Sequence, residues 1–267
     1  MSRFTLALVF IAGVFLGNFI FIATFAEGAV SKVSKMLIVR GSTAFPGQFP
    51  YQVSLRLYGQ HFCGGILITK KHVVTAAHCI HGTVSFPFTG FTVVTGSVSL
   101  ASGGHTHLVA AATYHPAFEP DISESFKNDV AVVTLADEVS IDQYQSPISL
   151  ATSDPPVGAA LTMSGWGQTT TTKRTLPEYL RTATVYLLSN EVCQEYISQY
   201  RIYPGQMCTF KEGGVGACLG DSGGPLVYDG SLVGIVSWVF PCAVGLPDAF
   251  TRVTSYVDFI TRTVEST

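Results

Sequence analysis

The chain holds 267 residues, 47% of them hydrophobic, with 26 Gly, 13 Pro and 6 Cys. That length and apolar content suit one or two compact domains with a sizeable core and exclude a wholly disordered chain. With 15 basic and 18 acidic residues mixed along the sequence, for a net charge of −3, no basic stripe forms and no nucleic acid partner is expected.

Arg3 precedes an apolar run from Phe4 to Ala26, broken only by Thr5, Gly13, Gly17, Asn18 and Thr24. It predicts a signal peptide over 1–26 and a secreted, extracellular product. Thr24, Ala26 and Gly28 offer cleavage sites; if retained, the run is long enough to span a bilayer, and only then would the membrane be a partner. Export to an oxidising compartment lets the six Cys pair as three disulfides, among fifteen connectivities that sequence alone leaves open.

Short runs of β-branched and aromatic residues follow at 51–57, 64–69, 91–95, 130–135, 161–166, 182–188 and 231–238, separated by Gly, Pro, Ser and Thr. They predict many short antiparallel strands. The segment from Asp142 to Gly158 is rich in Pro, Ser and Asp and reads as an interdomain linker, and Thr169–Thr172 as an exposed loop. Helical periodicity emerges only at the end, in Tyr256, Val257, Phe259, Ile260 and Val264, where Thr254 and Ser255 can cap a helix.

Three segments carry chemistry. Residues 216–225, Gly-Ala-Cys-Leu-Gly-Asp-Ser-Gly-Gly-Pro, present Ser222 among glycines, which let backbone donors approach a reacting carbonyl. Residues 73–79 place His78 directly after an apolar strand, and residues 128–133 place Asp129 directly before another. Each alone reads as a turn or a structural polar group. Together they supply what an attacking hydroxyl needs: a base, and a carboxylate to orient it.

With Phe49–Leu55, His61–Gly65, Ser164–Gly167 and Ser237-Trp238, these motifs resemble those of the chymotrypsin-like serine peptidases, from Ile38 to about Ile260. Arthropod chymotrypsin, elastase and brachyurin-like digestive enzymes are the nearest in character. The resemblance implies an all-β fold of two six-stranded antiparallel barrels with a C-terminal helix, His78 and Asp129 in the first barrel (38–150) and Ser222 in the second (151–267). It implies a catalytic His78, Asp129 and Ser222, an oxyanion hole from Gly220 and Ser222, support of Asp129 by Ser237, and disulfides Cys63–Cys79, Cys193–Cys208 and Cys218–Cys242.

It further implies a propeptide, 27–37, whose removal frees the Ile38 amine to pair with Asp221, while Ser54 and His61 hold that carboxylate in the precursor. Leu37 stands before the cut where Arg or Lys is usual, and Arg40 where a small or polar residue is commoner, so an activating protease that accepts Leu is expected. The substrate pocket would be formed by Gly216 and Ala217 at its base, Ser237, Trp238 and Val239 on one wall and Asp248 on another. Val239 favours small-to-medium apolar residues before the scissile bond; Asp248 favours Lys or Arg, or broad brachyurin-like cleavage.

No carboxylate lies between Thr95 and Ala110, so no calcium site is expected there, and His105 and His107 read as decorating an exposed hairpin. No metal or cofactor is expected. The expected partners are protein or peptide substrates, protein protease inhibitors and the activating protease, with the enzyme itself a monomer. The rival reading is a secreted binding module that has lost hydrolysis, which the intact set of site residues disfavours. The absence of an adaptor domain before Ile38 tilts the setting toward digestion.

Overall fold

The computed structural model describes residues 41–170, 175–240, 242 and 244–267. The expected signal peptide, the propeptide and Ile38 lie outside the described residues, as do Thr171 and Thr172 of the expected loop.

After β1 (Ser42–Thr43) the chain forms β2 (Gln52–Leu57), β3 (Gln60–Leu67), β4 (His72–Thr75), the one-turn helix α1 (Ala77–Ile80), β5 (Phe91–Thr95), β6 (His105–Tyr114) and β7 (Ala131–Leu135). These strands close into a barrel in the order β2-β3-β4-β7-β6-β5. Val73, Val74 and the whole of β7 are buried, because this side of the barrel is covered by the second half of the chain. Hence their sequence runs apolar without alternation.

The second half contributes β8 (Ser149–Leu150), β9 (Ala160–Gly165), β10 (Arg181–Leu188), α2 (Asn190–Tyr196), β11 (Gln206–Phe210), β12 (Pro225–Tyr228), β13 (Ser231–Trp238), β14 (Asp248–Arg252) and α3 (Val257–Ser266). Pairing runs β10-β11-β14-β13-β12-β9, and β9 returns to β10 to close a second six-stranded antiparallel barrel. β1 adds to the outside of β10, and β8, inside the expected linker, pairs in parallel with β13.

One apolar cluster joins the halves. It contains Val53, Ile66, Val73 and Val132 of the first barrel, Leu232 and Ile235 of β13, and Tyr256 and Ile260 before and within α3. A separate cluster of Leu161, Met163, Met207, Ala217, Leu226 and Phe250 fills the second barrel. The shared cluster fixes one barrel against the other, which a site assembled from both requires.

Several details depart from the sequence expectations. α3 has no side-chain cap: Val253–Ser255 form a 3-10 turn, Tyr256 is the first flanking residue, and the Thr254 hydroxyl goes instead to Asp154. α2 was not expected; Ser189 caps it by accepting from Val192 N–H at 3.2 Å. His105 and His107 do lie on the expected hairpin, on β6 paired with β5, and the His107 ring bonds Thr95 Oγ1 at 3.0 Å. Among the described residues no helix is long and apolar enough to cross a membrane.

Candidate active site

His78 sits in α1, immediately beyond β4, and Asp129 at the entry to β7, the strand paired with β4. This pairing brings the two together although 51 positions separate them. Asp129 is buried and accepts at both oxygens: Oδ1 from the His78 backbone N–H at 2.9 Å, Oδ2 from His78 Nδ1 at 2.8 Å and from Ser237 Oγ at 2.6 Å. Thr251 Oγ1 donates to the Asp129 carbonyl at 2.6 Å. Both oxygens of this buried carboxylate are thereby hydrogen-bonded, which offsets the cost of burying it.

The Asp129 contact engages Nδ1, so Nε2 is the free ring nitrogen of His78. Burial alone would lower the imidazole pKa, but the charge of Asp129 and its hydrogen bond together outweigh that, and the pKa stands above its ordinary value. His78 and Ser222 border one cavity of about 300 Å³ with Ile122, Phe126, Leu219, Ser237, Trp238 and Val239. No hydrogen bond joins Ser222 to His78 in this arrangement.

Ser222 reaches the first barrel by close backbone approach. Gly64 N–H donates to the Ser222 carbonyl at 2.8 Å. A Cβ on Gly223, whose φ is +75°, would overlap Thr75 Oγ1 and stand 2.6 Å from the Gly64 carbonyl. Gly220, at φ +101°, offers its carbonyl to His61 Nε2 at 3.0 Å, while Ser54 Oγ bonds the other ring nitrogen at 2.8 Å. Ser54 and His61 therefore brace the carbonyl of Gly220, the residue before Asp221. Burial first, and Arg56 after it, lower the His61 pKa to about 4 against the raising bond to Gly220, so His61 is neutral. The backbone N–H groups of Gly220 and Ser222 donate to no protein group among the described residues, leaving them free for an incoming oxygen.

Asp221 points away from Ser222 into a glycine cradle. Gly167 N–H donates to Oδ1 at 2.7 Å and Cys218 N–H to Oδ2 at 2.9 Å. No cation pairs with it among the described residues, and burial raises its pKa to about 6 against those two bonds. Asp248 is also buried, with Ala217 N–H on Oδ2 at 2.7 Å, and Gly216 lies against it. Gly216, Ala217 and Asp248 are not among the residues bordering the 300 Å³ cavity; Val239 borders it and also packs on the cluster that contains Ala217.

The three disulfides are Cys63–Cys79, Cys193–Cys208 and Cys218–Cys242. The first tethers β3 to α1 beside His78, and the third anchors the Ser222 loop. Since Cys63 and Cys79 are bonded to each other, the sulfurs near His78 are not free thiolates for a metal.

Sequence reasoning missed Phe126. Its ring stacks on His78 at 5.4 Å between centroids with an interplanar angle of 21°. Ser125, Phe126 and Asn128 all have positive φ, from 47° to 61°. This costly backbone is held by Gln206 Nε2 on the Ser125 carbonyl at 2.6 Å and by Tyr203 on Glu124 at 2.7 Å, both from the second barrel. Asn128 was the one available signal, being a residue that tolerates the left-handed region.

A family profile described as Trypsin matches residues 38–260. Chymotrypsin-2 of Vespa crabro is 37% identical over 230 residues, spanning 84% of this chain and 99% of its own length. Brachyurin of Leptuca pugilator is 35% identical over 226 residues, spanning 84% and 96%. Among solved structures, neuropsin, a serine protease expressed in the limbic system of mouse brain, superposes with a TM-score of 0.77 at 31% identity, covering 84% of this chain and 98% of its own.

Proposed function

The chain belongs to the trypsin family and is a serine endopeptidase acting on protein substrates, and from that premise we propose that Ser222 is its nucleophile, His78 its base and Asp129 the carboxylate that orients the base. The observation that carries this assignment is the His78 Nδ1 to Asp129 Oδ2 bond, 2.8 Å long, at the edge of the cavity that Ser222 also borders. His78 Nε2 takes the Ser222 proton as Oγ attacks the scissile carbonyl, then returns it to the leaving amine. The Gly220 and Ser222 N–H groups receive the oxyanion, and losing one such donor typically costs about 3 kcal/mol of transition-state stabilisation.

The protein is secreted, its signal peptide being 1–26, and is made as a precursor. A cut before Ile38, by a protease accepting Leu37, frees an amine that pairs with Asp221. Support for this comes from Asp221 itself, a buried carboxylate with two N–H donors and no cation among the described residues. Residues 38–150 and 151–267 form the two halves, and protein inhibitors of the family's kind would occupy the cleft between them. Digestion is the setting we favour.

The preferred residue before the cut is apolar and small to medium, because Val239 narrows the cavity. The buried Asp248 favours a second reading in which Lys or Arg is accepted. Relatives of similar identity are named chymotrypsin, trypsin and brachyurin, so names do not choose between the two. The test is to label the processed protein with a peptidyl phosphonate, identify the labelled residue and sequence the N-terminus. Labelling at Ser222 in a chain beginning at Ile38 is expected; an unlabelled Ser222 in such a chain would favour a silent homologue. A peptide library then reports specificity, and dominant cleavage after basic residues at neutral pH would overturn the apolar preference.

A further inference from the structure

Arg181, the first residue of β10, stands where three strands meet. Thr43 of β1 is directly opposite it on one side and Gly165 of β9 on the other. Directly opposed residues in an antiparallel sheet carry their side chains on one face. On that face a Cβ at Gly165 would overlap Asp221 Oδ1, so the Asp221 carboxylate lies on the same side of the sheet as the Arg181 side chain. Among the described residues no ion pair joins the two, and the guanidinium turns to β1 instead.

There it grips the chain just before β1. Nη2 donates to the Gly41 carbonyl at 2.8 Å, and Nη1 donates to Thr43 Oγ1. A guanidinium is always charged and carries its donors in a rigid fork, so both bonds are charge-assisted and together they fix direction as well as distance. The remaining donor, Nε, is buried and has no partner among the described residues. Buried donors are normally paired, so this one is open to a carbonyl of the chain that runs into Gly41. β1 is only two residues long, too short for its ladder alone to hold this end firmly.

We propose that Arg181 is a positioning residue for activation: it grips Gly41, the stem of the new N-terminus, on the face where Asp221 lies, and so limits the conformations of the residues that must carry the Ile38 amine to that carboxylate. This rests on the reading that a cut before Ile38 frees the amine. Three residues lead back from Gly41 to Ile38, an extended reach of about 10 Å. The row from Thr43 through Arg181 to Gly165 crosses two strand spacings, also about 10 Å, so the scale of the step matches the scale of the segment. Ordering a chain costs entropy, and a stem already held leaves less to lose when the amine docks.

The test uses protein expressed behind a removable fusion, so that every variant begins at Ile38. Two quantities are read: the rate at which cyanate carbamylates the Ile38 amine, by mass spectrometry of the N-terminal peptide, and the alkaline limb of phosphonate labelling at Ser222. A charge-assisted bond such as that to Gly41 is worth about tenfold in an equilibrium. Arg181→Met should therefore raise the carbamylation rate about tenfold. It should also move the alkaline limb down by about one pH unit, because docking of a protonated amine that is about tenfold weaker is lost at about ten times the proton concentration. Arg181→Lys still reaches the Gly41 carbonyl but cannot hold Thr43 with it; a rise of about threefold is expected, and this variant supplies the test if Arg181→Met does not fold. A merely structural role would lower the melting temperature and leave both readouts in place. An amine as protected in the variants as in the unsubstituted protein, with an unmoved limb, overturns the clamp while the pairing with Asp221 stands. If the amine of the unsubstituted protein reacts as fast as that of a free peptide of the same N-terminal sequence, the pairing itself is wrong and the clamp falls with it.

Discussion

Replacing Gly167 by Ala isolates the role of the cradle around Asp221. An added Cβ would overlap Asp221 Oδ2 and stand 2.7 Å from Oδ1. Gly167 does not have a left-handed φ, so the whole penalty is steric. The carboxylate must move, which strains the packed interior by about 1–3 kcal/mol and loses a bond to an ionised acceptor, now 2.7 Å long, at about 1.5–3 kcal/mol more. Together these amount to about 2.5–6 kcal/mol, a fall in Tm of about 5–20 °C for a domain of this size. Gly230→Ala is the control. Its φ is +71° with nothing within 4 Å of the added Cβ, so it should cost only about 1 kcal/mol of backbone strain. Thermal unfolding, followed by circular dichroism, and the rate of phosphonate labelling at Ser222 are read on the same preparations. Gly167→Ala should melt well below the control and label more slowly, because Asp221 is next to Ser222. If it melts with the control and labels at the unsubstituted rate, the cradle does not position the serine loop.

The raised pKa of His78 places the acid limb of kcat/KM above pH 6.5, with activity falling about tenfold per pH unit below it as the imidazole protonates. Asp129→Asn removes the charge that raises it, so the limb should move to lower pH while the rate drops by about 10⁴; an unmoved limb would contradict the assignment. Phe126→Ala should uncover the face of His78 and raise kcat/KM about tenfold for substrates with a bulky residue one position earlier, relative to Gly there, in a paired-substrate assay. Replacing Cys193 and Cys208 together by Ser opens a loop with a sequence separation of 15 and should lower stability by about 3 kcal/mol in a denaturant melt, with Ser222 labelling retained.

The strands legible in the sequence were those whose pattern is set locally, such as Phe91–Thr95 and Ser231–Trp238, both observed with the expected bounds. Those that were missed depend on partners. β11 and β12 are short and flanked by Gly or Pro, so only pairing with β14 and β13 makes them strands. α2 has two turns and gains its order from the Ser189 cap and the Cys193–Cys208 bridge. At α3 the expected capping failed for a tertiary reason, since Asp154, 100 residues earlier, takes the Thr254 hydroxyl. His78, Asp129 and Ser222 were legible because their three runs occur together, each alone reading as a turn or a structural polar group. Phe126 was not: its place over His78 follows from left-handed backbone at Ser125 and Phe126, imposed from the second barrel through Gln206 and Tyr203.

The same contrast separates hydrolysis from specificity. The segment carrying Ser222 lies against the first barrel because backbone meets backbone at Gly64 and Gly223, and Gly220 takes a left-handed φ, places where a side chain would overlap its neighbour or strain φ. Glycine in such a place has no ready substitute, so the requirement is written visibly into residues 220–224. The cavity is lined by side chains instead, Phe126, Leu219 and Val239 among them. Which of them reach the cavity depends on how the β-strands of the second barrel pair, and the pKa of the buried Asp248 depends on burial, which raises it. Neither is written in the linear sequence. A family can therefore hold its chemistry fixed while its members diverge in what they cut, and in this chain Val239 on the cavity and the buried Asp248 behind it favour different preferences.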